Sequence, residues 1–259
     1  MTRPDTDPTA PLDQLLAVPA ATWLAAGCAA AGDPAAVLRT FPAVGRRLGR
    51  GPLEPAASGD LHVWTVDDAG RARLLQAAAG TLDPAALAAL LDQLYVHGDA
   101  AERRGVLRAL DLLPLADEGL PLVRDALRTN DLRLVAAAVA GSYTARALPA
   151  AEFDQAVLKC LFVGVPLAGV AALPDRISPQ LARMVADFAR ERVAAGRDVP
   201  ADAWLVLDGW PDVVAGAGLL DELESTVPAR RAAAGRFLDG RFRAGGFRAG
   251  SSRPVAEEG

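Results

Sequence analysis

The chain has 259 residues, of which 51% are hydrophobic and only 5% aromatic, so Ala, Leu and Val must do most of the packing. Ala and Leu favour helix while the β-branched and aromatic residues that favour strands are scarce, which argues against a sheet protein and for an all-α fold. The formal charge of −5 hides a split, because residues 228–259 carry seven Arg against Asp239, Glu257 and Glu258, leaving −9 on the rest. With no cation cluster expected ahead of residue 228, that acidic body argues against nucleic acid as a partner.

Cys28 and Cys160 are far apart and each lies in a mostly apolar stretch, so they read as reduced core thiols of a cytoplasmic protein, without a disulfide framework. The first eight residues hold acids and prolines where a secretory leader would carry a basic end and an apolar run. No uninterrupted apolar stretch is long enough to span a bilayer.

Residues 1–10 are expected to be disordered. Leu12 to Ala31 reads as a helix interrupted near Pro19, with Trp23, Leu24 and Cys28 on its apolar face, and Asp33-Pro34 restarts a helix towards Leu38. Glycines and prolines from Gly45 to Gly59 mark a long loop. Trp64 then precedes Asp67-Asp68-Ala69-Gly70-Arg71, whose acids suit the positive end of a helix that buries Leu74 and Leu75.

Asp83-Pro84 is an N-cap followed by a first-turn proline, and Leu87, Leu90, Leu91, Leu94 and Tyr95 follow at the spacing of an amphipathic helix. His97-Gly98-Asp99 ends it and caps the next helix, whose stripe is Val106, Leu107, Leu110 and Leu113. A second hairpin spans Leu120 to Leu127 and Leu132 to Val139, and a third Glu152 to Val163 and Ser178 to Ala195. In the last of these, Ser178 caps, Pro179 opens, Gly196 closes, and Leu181, Met184, Val185 and Phe188 are expected to face the core. Weaker helices follow at Pro200 to Leu207, Val213 to Leu223 and Ala229 to Leu238.

Successive hairpins of this kind predict a single all-helical domain, residues 11–240, stacked as a HEAT- or armadillo-like α-solenoid; a compact orthogonal bundle is the alternative. Residues 241–259, with the echo Phe242-Arg243-Ala244-Gly245 and Phe247-Arg248-Ala249-Gly250, read as a disordered Gly/Arg tail.

The usual catalytic patterns are missing: His62 and His97 lack ligand-spaced partners, and no nucleophile elbow or phosphate-cradling loop occurs. Neither a metal nor a cofactor is expected. Lys159 is the exception in a chain whose other cations are all Arg, because it lies in the apolar run Val157 to Val163. A lysine in such a setting either snorkels, pairs with a carboxylate, or carries chemistry. Gln155 and Lys159 share a helix face at i, i+4, and Asp187 and Glu191 repeat that spacing on the following helix. Packing of the two helices would make a largely buried, ion-paired seam. Arg128, Asn130, Tyr143, Asp175, Arg176, Arg183 and Arg192 complete the polar set from which a ligand or partner site would be drawn.

The runs Arg128-Thr129-Asn130, Gln155-Ala156-Val157-Leu158-Lys159, Phe162 to Leu167, Asp175-Arg176 and Leu181 to Arg197 resemble those of the EboA family, with a looser match from Trp64 through Trp204. The chain departs from the family pattern at Phe153-Asp154-Gln155, where the family has Trp-Asn-Gln, and at Gly141-Ser142-Tyr143-Thr144, where it has Asn-Pro-Tyr-Pro. Arg190 and Val193 replace the family's His and Trp, so the resemblance implies no histidine-dependent proton transfer at that helix.

The resemblance implies an accessory role rather than an established catalytic activity. Related proteins are encoded in a bacterial cluster tied to secondary metabolism, including movement of a scytonemin-like precursor towards the periplasm of cyanobacteria. Its neighbours there, and so the expected partners, are a UbiA-like prenyltransferase, a dehydroquinate-synthase-like enzyme and hydrolase-like proteins. The expected function is a non-catalytic helical scaffold that binds a small molecule or a partner protein. The alternative is an enzyme using Lys159 as base or Schiff-base nucleophile beside Asp187 or Glu191.

Overall fold

A computed structural model describes residues 7–57 and 59–244, with side chains through Asp239. The described residues are helical, with no strand and one isolated antiparallel bridge between Pro52 and Thr65. The chain divides into two compact units. One takes the chain up to Pro149 together with Gly169–Ala171; the other takes Ala150–Ala168 and the chain from Ala172 onward.

The first unit holds α1 (Leu12–Leu15), α2 (Val18–Ala29), α3 (Pro34–Thr40), α4 (Val44–Leu48), α5 (Val66–Ala79), α6 (Pro84–His97), α7 (Ala100–Ala109), α8 (Leu120–Arg128), α9 (Leu132–Ala140) and α10 (Ser142–Ala147). Asp7 to Ala10, inside the segment expected to be disordered, form a turn in which Thr9 is buried and bonded to Asp7 at 2.8 Å. Pro19 falls in the first turn of α2 rather than inside a longer helix, because a proline there forfeits no helical hydrogen bond. The expected loop from Gly45 begins only at Gly49, since α4 runs through Leu48.

α5 is the centre of this unit. Thr65 caps it in a reciprocal box: its hydroxyl accepts from the Asp68 N–H while the Asp68 carboxylate accepts from the Thr65 N–H. Every residue from Val66 to Ala72 is buried. α5 packs on α2, α4 and α7, α7 packs on α9, α6 packs on α7 and α8 packs on α9. The stripe Leu87, Leu90, Leu91, Leu94 and Tyr95 of α6 is buried as its spacing predicts. α10, which the sequence did not show, is held by Asp111, whose carboxylate accepts from the Ser142 N–H at 2.9 Å and from the Ser142 hydroxyl at 2.8 Å.

The second unit contains α11 (Ala150–Val163), α12 (Leu173–Arg176), α13 (Pro179–Ala194), α14 (Trp204–Leu207), α15 (Pro211–Gly216) and α16 (Pro228–Ala244). α13 is built as the sequence predicts: the Ser178 hydroxyl accepts from the Leu181 N–H at 3.0 Å, Pro179 opens the helix, and Gly196 beyond its end adopts φ +68°. α11, α14, α15 and α16 all pack against it. Trp204 stacks on Phe237 with centroids 4.7 Å apart, and its indole N–H donates to the Phe237 carbonyl at 2.9 Å. The expected helix from Val213 to Leu223 is shorter, because the chain turns at Gly218 with φ +73° and resumes as a 3-10 turn at Asp221–Glu224. α16 reaches Ala244, into the segment expected to be tail; residues 245–259 lie outside the described part.

Candidate functional site

α11 and α13 each present residues at i, i+3, i+4 and i+7 to a common cavity of about 450 Å³: Gln155, Leu158, Lys159 and Phe162 from one helix, Met184, Asp187, Phe188 and Glu191 from the other. On a helix, residues four apart stack along one line. Each wall therefore has a polar row, Gln155–Lys159 or Asp187–Glu191, and an apolar row, Leu158–Phe162 or Met184–Phe188. The volume falls in the range of about 300–1,000 Å³ typical of small-molecule sites.

Gln155, Lys159, Asp187 and Glu191 line one cavity, but the expected burial of this seam is not found. Lys159 is half-buried, whereas Gln155, Asp187 and Glu191 are exposed. Solvent reaches this seam because Met184 and Phe188, expected in the core, line the cavity half-buried, while Leu181 and Val185 carry the packing beneath them. Phe162, on the same wall, is 73% exposed.

Asp187 also borders a second cavity of about 390 Å³ between α13 and α15, lined by Arg183, Ala186, Asp212, Val213, Gly216 and Ala217. Arg192 leaves the first cavity: its guanidinium lies 5.7 Å from the Phe188 ring centroid and donates to the Asp198 carbonyl. Asp175 is exposed on α12, and the Arg176 guanidinium sits 4.1 Å from the Phe153 ring centroid. Arg176 faces Asp154, which the sequence marks only as a departure from the family's asparagine and not as a site residue. Asp154 is 5% exposed, and desolvation raises its carboxyl pKa while Arg176 opposes the shift.

Arg128, Asn130 and Tyr143 belong to the other unit. Arg128 and Asn130 are exposed at the α8–α9 turn. Tyr143 is 1% exposed and structural: its hydroxyl accepts from the Gly119 N–H at 2.9 Å, its ring carries Arg146 at 5.2 Å, and burial raises its pKa. A cavity of about 550 Å³ in this unit is lined by Asp7, Glu54, Asp60, His62 and Trp64 among others, and none of the polar set proposed for a ligand or partner lines it.

The most heavily charged site in the first unit lies inside it. Arg71 donates to Asp67 at 2.6 Å, Arg104 donates to both Asp68 oxygens at 2.9 and 3.0 Å, and Arg108 lies 3.3 Å from Asp68. Arg108 also donates through its two terminal nitrogens to the carbonyls of Leu61, His62 and Val63 at 2.9–3.1 Å, which offsets part of the positive charge that the two carboxylates leave over. Burial lowers the Arg108 pKa and Asp68 opposes the shift. Gly105 makes the network possible, because a Cβ there would come within 2.6 Å of the Arg71 stem. With both carboxylates buried and paired to arginines, this cluster is a structural one.

The described residues contain no group of His, Cys, Asp and Glu arranged to hold a metal, and no helix long and apolar enough to cross a membrane. They define an all-helical protein with an open, amphipathic cavity between two helices. The family model of the metabolite traffic protein EboA matches residues 37–208, and the chain belongs to that family. The match takes in both walls of the α11–α13 cavity and the whole buried charge network, and stops before α15. No curated protein and no solved structure matches the chain.

Proposed function

We propose that this chain is a non-catalytic accessory protein of a secondary-metabolite pathway, holding a small molecule in the α11–α13 cavity on its way between pathway proteins. The observation that supports this most is the paired lining. A ligand with a flat apolar body would lie on Leu158, Phe162, Met184 and Phe188, while its polar edge met Gln155, Lys159, Asp187 and Glu191. Both charge signs stand on the rim, which suits a ligand carrying hydroxyl or amino groups better than a simple anion. The family's description as a metabolite traffic protein supports the same reading.

The source and destination of that molecule would be the proteins of the same cluster, a UbiA-like prenyltransferase and dehydroquinate-synthase-like or hydrolase-like enzymes. The succession of α5 on α7 and α7 on α9, with α6 and α8 outside, supports a HEAT-like stack in the first unit, suited to holding a protein partner. Two cysteines without a disulfide support a cytoplasmic setting. Calorimetric titration with pathway intermediates tests the proposal: binding should weaken at least about tenfold in Phe162→Asp, which removes apolar contact and adds repulsion. Undiminished binding by that variant would refute it.

A second reading gives Lys159 a covalent role, since its amine shares the cavity with Asp187 and Glu191. Borohydride trapping of a carbonyl substrate on Lys159 would favour it over simple binding.

A further inference from the structure

α2, in the first unit, has the sequence Val18-Pro-Ala-Ala-Thr-Trp-Leu-Ala-Ala-Gly-Cys-Ala29 and carries no charge. A helix that is apolar all round belongs in a core or against lipid. Yet Leu24 is its only buried residue. Val18 is 78% exposed, Pro19, Ala25, Ala26 and Ala29 are exposed with it, and Leu15 at the end of α1 is 52% exposed. The helix thus presents a short, uncharged and mostly apolar side, with Thr22 in its middle, that the described chain leaves uncovered.

Beside it stands positive charge. α4 packs on α2, and the guanidinium of Arg47 lies over the half-buried Trp23 ring at 5.8 Å from its centroid. Arg46 precedes it, and the Arg50 side chain lies over Gly45, where a Cβ would come within 2.8 Å of its Nε. All three arginines are exposed. Residues 34–53 contain Arg39 and these three but no acid, so the expectation of no cation cluster ahead of residue 228 does not hold. The nearest acid on α1, Asp13, is held by Arg73, with Nη2 and Oδ2 2.9 Å apart.

We propose that α2 and the arginines of α4 form a docking surface for an anionic lipid bilayer. The apolar side of α2 enters the headgroup boundary, Trp23 sits at the level where its amphipathic ring is favoured, and Arg46, Arg47 and Arg50 meet lipid phosphates. Neither signal is sufficient alone: the apolar side is short, and a basic cluster without insertion binds weakly. Together they give reversible attachment. The chain's overall charge of −5 does not prevent this, because acids more than about 8 Å from the bilayer are screened at physiological salt. This surface lies in the first unit and stands independently of the α11–α13 cavity.

Co-sedimentation of the full chain with vesicles of phosphatidylcholine alone and of phosphatidylcholine mixed with phosphatidylglycerol tests it. The chain should sediment with the mixed vesicles and be released by high salt. The combined Arg46→Gln, Arg47→Gln and Arg50→Gln variant should bind about a hundredfold more weakly, each arginine contributing about fivefold. Val18→Glu should weaken binding as well, with thermal stability unchanged because the side chain is exposed. Equal binding to both kinds of vesicle, or binding to neither, would overturn the proposal. So would a dimer in sedimentation equilibrium that Val18→Glu dissociates, since a second copy would then be the occupant of this side.

Discussion

Arg71 and Asp67 face each other across one turn of α5 at 2.6 Å, and neither has contact with solvent. Taking two charges out of water is costly, and the pair persists because Arg104, Arg108 and a ring of carbonyls complete the arrangement. Asp67→Ala leaves Arg71 buried without its partner and should cost about 3–5 kcal/mol in urea unfolding. The double variant Asp67→Leu, Arg71→Met should lose less than the sum of its two single variants, giving a large coupling in a double-mutant cycle. Additive losses would mean the pair contributes little to the fold.

Asp154 provides a pH test. Desolvation raises its carboxyl pKa above the ordinary 3.8, with Arg176 opposing, so the folded state favours the protonated form. The stabilisation from that proton is complete below pH 3.8 and is lost as pH rises through the folded-state value. Asp154→Asn should therefore raise the melting temperature at pH 7 by about 2 °C and lose this advantage in acid. Thermal melts across pH check it; a melting temperature lowered at pH 7 would show that Arg176 pairing outweighs burial.

The two thiols should differ in kind from reactive cysteines. Burial pushes Cys160 up to about 12, and desolvation also raises the half-buried Cys28 despite Arg73 nearby. At pH 8 the folded protein should react with a thiol reagent far more slowly than the urea-unfolded chain, with Cys160 the slower of the two sites. Mass-spectrometric mapping of the modified peptides measures this directly.

The polar half of the cavity was legible in the sequence, and the apolar half was not. Gln155–Lys159 and Asp187–Glu191 stand out because polar pairs four residues apart on apolar helices require an outlet. Phe162, Met184 and Phe188 give no such signal, since an apolar residue on a helix reads as core whether it meets a neighbour or a cavity. The buried network was missed for the converse reason. Asp67–Arg71 and Arg104–Arg108 look locally like solvated i, i+4 pairs, and only the approach of α7 to α5, which Gly105 permits, buries them. α2 misleads similarly, as an uncharged helix left on the surface.

Within the cavity, Lys159→Met and Lys159→Arg separate the roles of charge and amine. If the ammonium serves as a hydrogen-bonding cation, the methionine variant should bind ligand about tenfold more weakly and the arginine variant should recover part of the loss. Loss of pathway output in the arginine variant with ligand binding intact would point instead to amine chemistry.

The central claim is that the α11–α13 cavity carries a small molecule, and native mass spectrometry of the protein purified from its own cells tests it most directly. The wild-type chain should retain a bound species that is absent from Phe162→Asp, with both proteins equally folded. A wild-type chain without any bound species, or the same species retained by the variant, would contradict the account.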